Sequence, residues 1–207
     1  MNGLGRWMCG TLVAFASATL LAGVAGWHLY EVLTAPPDPS DLGAALSRAD
    51  MWFGNLTGWW RAALVASLVL FAFWLDDMRG YAEGLWPEGQ RRHRAWAFFG
   101  LVVPLAQLFV PKMFMNDLWA AAEPADPARP RRRGHPLLTL WWLSLLAAGQ
   151  WADGFSALKN ATTRTAPAAL RHLLLSEALY LAAAGLTITV VLRLGGRIRH
   201  AWSADPV

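Results

Sequence analysis

The chain carries no Asp, Glu, Lys or Arg between Arg6 and Glu31, and most of that stretch is apolar. Crossing a bilayer core of about 30 Å takes roughly 20 predominantly apolar helical residues. Four stretches approach that length, at about 7–29, 59–75, 137–155 and 173–192. The expected fold is an all-α membrane protein, one integral domain over residues 1–207, with four transmembrane helices. Composition agrees, with 56% hydrophobic and 15% charged residues. A soluble domain holds about 25% charged residues. The shortfall excludes a disordered chain, a coiled coil and a typical nucleic-acid-binding domain, so no nucleic acid is expected as a partner. The single cysteine, Cys9, excludes a disulfide framework and a Cys-based zinc site.

The first run exceeds the usual 7–15-residue core of a secretory signal, so it reads as an uncleaved anchor. Gly10, Ala14, Ala18, Ala22 and Gly26 recur along it at four-residue spacing. Small residues so spaced let helix backbones approach closely in lipid. The 13 tryptophans cluster at the ends of the apolar runs. Trp7 and Trp27 stand about 30 Å apart along a helix, one bilayer core. The pattern reads as interfacial anchoring.

A further apolar stretch, about 96–110, is short and broken. Pro104 sits in its middle and Pro111 at its end. Proline removes a backbone donor and disrupts a helix. Gln107 could satisfy backbone groups freed there. The stretch is either re-entrant or a short fifth membrane segment. Charge placement decides between them, because basic residues collect on the cytoplasmic side. If it crossed, the 18 basic residues would divide 8 to 10, which orients nothing. If it returns to the same face, they divide 13 to 5. The second arrangement is expected, with both termini cytoplasmic in a bacterial plasma membrane. The lipid bilayer and its anionic headgroups are then the first partners. A membrane-protein partner or a second copy of the chain would be the next.

Lys112-Met-Phe-Met-Asn116-Asp117-Leu-Trp119 follows the break. It reads as an interfacial helix over about 112–122, with Lys112, Asn116 and Asp117 toward headgroups or other polar groups. With Trp74, Arg79, Ala82, Pro104, Leu108, Pro111 and the Trp141-Trp142 pair, this run resembles a known bacterial family, domain of unknown function four-three-two-eight. The similarity covers roughly residues 60–200. Asp77, Tyr81, Leu101 and Gln107 depart from the family pattern, which has Arg, Asn, Trp and Asn there. The resemblance implies a multi-pass membrane protein and no particular activity.

Ionisable residues at membrane depth are functional candidates. Glu177 lies just inside the last span and Arg61 at the start of the second. With four crossings both fall near the outer face and can pair. Asp76, Asp77, Arg79, Lys112, Asn116 and Asp117 form a second candidate group. They would make one polar network docking the interfacial helix against the second span. The five histidines show no metal-binding spacing, and no phosphate-binding or nucleophile motif is present. No cofactor, metal or catalytic residue is expected. The leading expectation is a non-enzymatic scaffold or accessory subunit. The alternative is a small transporter or channel component using the broken segment and Glu177. A membrane-embedded lipid-acting enzyme holding a metal at Asp76, Asp77 and Asp117 comes third.

Overall fold

A computed structural model describes residues 3–35, 40–103, 105–124, 131 and 134–204. Seven α-helices follow in order: α1 (Gly3–Thr34), α2 (Leu42–Leu85), α3 (Trp96–Val102), α4 (Val110–Ala121), α5 (Pro136–Gln150), α6 (Gly154–Lys159) and α7 (Ala166–Ala204). Short 3-10 turns occupy Pro87–Gly89 and Ala106–Leu108. No strand occurs among the described residues. Three prolines open helices here. Pro136 begins α5, Pro111 lies in the first turn of α4 and Pro167 in that of α7. The missing N–H costs nothing in a first turn. Pro111 was expected to close the broken segment, and instead it starts the next helix.

Among the described residues three helices, α1, α2 and α7, are long and apolar enough to cross a membrane. Their 32, 44 and 39 residues rise about 48, 66 and 58 Å, well beyond a core of about 30 Å. The second apolar run is the middle of α2, which continues without a break back to Leu42. Along that extension Ala45, Ala49, Phe53, Thr57 and Trp60 are buried, an i, i+4 stripe ending in an i+3 step. The stretch 137–155, expected as one span, is two helices. α5 has 15 residues and ends at Gln150. Trp151, Ala152 and Asp153 turn the chain into α6. Gly154 lets the start of α6 pack against α7, because a Cβ there would meet Leu173 Cα at 3.1 Å. The hydroxyl of Ser176 on α7 donates to the freed Trp151 carbonyl at 2.5 Å.

The segment 96–110 is broken as its prolines require. α3 has 7 residues, a rise of about 10 Å. Val103 then takes an extended conformation, the one a following proline imposes. Pro104 itself lies outside the described residues. Gln107 does not fill the role expected of it. Its side chain is exposed, and its backbone N–H bonds to the Val103 carbonyl at 2.9 Å. Phe99, Val103, Leu105 and Phe109 all point outward. α4 also differs from an amphipathic helix lying on a surface. Nine of its 12 residues are buried, Asp117 included. On its polar side Asp117 is wholly buried, while Lys112 and Asn116 are half-buried.

The chain forms two compact units. The first comprises residues 1–11, 66–143 and 185–207, the second 12–65 and 144–184. In the first unit, Trp74, Met78, Phe114, Leu118, Trp141 and Leu194 are buried together with neighbours from α2, α4, α5 and α7. Trp141 donates its indole N–H to the Thr187 hydroxyl at 3.0 Å. In the second unit a run of rings fills the interior. Trp60 lies 4.6 Å from Phe155, 5.1 Å from Tyr180 and 5.9 Å from Phe15, centroid to centroid. Trp60, read as an interfacial anchor, is instead a core residue. Trp60 is 6% exposed and its neighbour Trp59 72%, because one residue turns a helix by about 100°. Trp74, Trp119, Trp141 and Trp142 are also core residues.

Candidate functional site

Among the described residues Arg79 is the most enclosed cation in the first unit, 2% exposed on α2. A buried guanidinium is tolerated only when its charge and donors are matched. Here Nε donates to Glu83 Oε1 at 2.9 Å, one helical turn on. Nη1 donates to Gln90 Oε1 and Nη2 to the Arg92 carbonyl, both at 2.6 Å. The guanidinium also lies 5.1 Å from the Phe114 ring centroid on α4. Arg79 thus holds the 86–95 connection against α2 and touches α4.

Two further arginines of that connection complete the cluster. Arg91 meets Asp117 with Nη2 at 2.8 Å from Oδ1 and Nε at 3.0 Å from the same oxygen. Asp117 is wholly buried, whereas Arg91 reaches solvent. Arg94 pairs with Asp76 through Nε and through Nη2, the latter at 2.8 Å from Oδ2. The hydrogen bond to Asp76 raises the pKa of Arg94 further. Arg79, Asp76 and Asp117 therefore each bond to the Gln90–Arg94 stretch. Asp77 is half-buried and engaged in an interaction of its own. Lys112 is half-buried, and Asn116 keeps a buried Oδ1 without a hydrogen-bond partner. Glu83, Gln90, Arg91 and Arg94 were not among the expected site residues. The four-residue spacing of Arg79 and Glu83 was the available signal. The pairs across the connection had none. Guanidinium groups occupy the sites at Asp76 and Asp117 that a cation would need. Among the described residues no group of three His, Cys, Asp or Glu is placed to hold a metal.

In the second unit Glu177 is 7% exposed, with its Oε1 unpartnered. Its carboxylate lies against Gly23 of α1, on the spot a Cβ would occupy. The candidate pair of Glu177 with Arg61 does not form. Arg61 is exposed, since Trp60 takes the inward position and the next residue is turned outward. Trp60 Nε1 is likewise buried without a partner.

No curated protein and no solved structure matches the chain. Residues 38–196 match the family described as domain of unknown function DUF4328. That range holds the Arg79 cluster, α4 and Glu177, and it takes in most of the chain. The chain therefore belongs to the DUF4328 family.

Proposed function

We propose that this chain is a four-crossing membrane protein acting as a non-enzymatic scaffold or accessory subunit. Its arginine-rich unit, with residues 3–11 and 185–204, faces the cytoplasm of a bacterium. The observation that carries this is the distribution of basic residues along the sequence, read against the helices α1, α2, α5 and α7. The broken segment and α4 belong wholly to the first unit. Of the 18 basic residues, 13 fall in the first unit's stretches and 5 in the second's. That is the bias the positive-inside rule requires. Irregular backbone exposed to lipid is not tolerated in the hydrocarbon region. The outward phenylalanines of 96–110 accordingly fit a shallow segment at the interface. The arginines of the cluster are engaged with intrachain acceptors, which favours a structural role for them.

Cysteine accessibility in a Cys9→Ser background tests the topology. Cysteines at Glu88 and Gly134 should label from one face and a cysteine at Asn160 from the other. Labelling of 88 and 134 from opposite faces refutes it. A stoichiometric membrane partner retained in mild detergent is what the scaffold role requires. Transport is a second reading, favoured by the unpartnered Glu177 oxygen and Trp60 nitrogen. Solute flux in liposomes that Glu177→Gln abolishes would replace the scaffold role with it.

A further inference from the structure

A cavity of about 420 Å³ opens in the first unit where α2, α4 and α7 end. Its polar lining is Arg131, Arg197, His200 and Glu123. The rest is apolar, including Leu85, Pro124, Ala201 and Ala204. Each guanidinium is held by an indole. Arg197 lies 4.5 Å from the Trp119 ring centroid and Arg131 lies 5.0 Å from that of Trp86. Among the described residues neither arginine forms an ion pair. Arg131 has one long hydrogen bond, 3.5 Å, to the Ala121 carbonyl at the end of α4. Glu123 has an interaction of its own. The contrast with Arg79, Arg91 and Arg94, each matched to a carboxylate, is the informative point. Two oriented cations share one cavity, and each keeps donors to spare.

We propose that this cavity binds one anionic phospholipid through its phosphate. A guanidinium fork matches phosphate oxygens in geometry and charge. The apolar lining suits the glycerol and the first methylenes of the acyl chains, which a free phosphate lacks. The volume lies in the range of small-molecule sites, about 300–1,000 Å³. Basic pockets at the ends of membrane helices are where such headgroups settle. The site is separate from the Arg79 cluster, and it does not depend on which face of the membrane the unit occupies.

The test is native mass spectrometry of the full chain in a neutral detergent, titrated with phosphatidylglycerol, phosphatidylcholine or inorganic phosphate. Wild type should retain one phosphatidylglycerol, at least tenfold more tightly than phosphatidylcholine. Arg197→Gln and Arg131→Gln should each weaken that retention about tenfold. Arg193→Gln, on the same helix but outside the cavity, should not. Arg131 lies outside any helix, so its variant tests binding without disturbing α7. Equal retention by wild type and both cavity variants overturns the proposal. Displacement of the lipid by equimolar inorganic phosphate also overturns it, because the apolar lining would then contribute nothing.

Discussion

Replacing Arg79 by Met removes the guanidinium and keeps most of the stem. Three bonds and one ring contact disappear with it. Two of the acceptors, Gln90 Oε1 and the Arg92 carbonyl, sit in a part-buried setting. Hydrogen bonds from a charged donor are worth about 1.5–3 kcal/mol each. The third partner, the Glu83 side chain, is 41% exposed. It can turn to water, so that pair is worth about 0–1 kcal/mol. Recovering the desolvation of one buried cation offsets part of the loss. The expected net cost is about 3 kcal/mol, which for a chain of this size lowers the midpoint by about 6–12 °C. Arg79→Lys should fall between, since one ammonium cannot reach three separated acceptors as a planar fork does. Glu83→Gln should cost under about 1 kcal/mol. The assay is thermal unfolding of the detergent-solubilised full chain at one fixed scan rate, because such unfolding is often irreversible. The ordering Glu83→Gln, Arg79→Lys, Arg79→Met is the expected result. If Arg79→Met unfolds no earlier than Glu83→Gln, the arginine does not hold the connection and the reasoning fails.

Three further outcomes follow from the same geometry. Arg91→Met, which takes the guanidinium from the wholly buried Asp117, should cost about 3 kcal/mol, whereas Arg94→Met, in a more exposed pair, should cost about 0–1 kcal/mol; equal midpoints for the two variants would contradict this. Gly26→Ala should destabilise by about 1–3 kcal/mol through overpacking, because a Cβ would press on Leu173, Leu158 and Phe53 together; a raised midpoint would show that the helix-propensity gain of about 1 kcal/mol wins instead. Glu177→Gln should leave the unfolding midpoint unchanged, since no ion pair is lost; a large drop would reveal a cationic partner.

Much of the architecture is readable from apolar run length and proline position. The uncharged stretch after Arg6 is α1, and the break near Pro104 stands where backbone chemistry requires it. What stays hidden depends on helix phase and on chain returning from elsewhere. Trp59 and Trp60 look alike in sequence, yet a 100° step separates a core residue from an exposed one. Arg61 and Glu177 could pair on paper, but the inward position at that turn belongs to Trp60. Asp76, Arg79 and Asp117 were recognisable as candidates, while their partners Arg94, Gln90 and Arg91 were not. Those contacts span 11 to 26 residues and exist only because the 3-10 turn at Pro87–Gly89 folds the connection back.

The small-residue series of α1 spans two environments. Each four-residue step overshoots the helical repeat by about 40°, so the row drifts round the helix. Gly10 and Ala14 are exposed, Ala18 is half-buried, and Ala22 and Gly26 are buried. A Cβ at Gly10 meets nothing within 4 Å, whereas one at Gly26 collides with three side chains. Evolutionary tolerance should therefore change along one row. Saturation mutagenesis of α1 should accept bulky residues at positions 10 and 14 and reject them at 22 and 26.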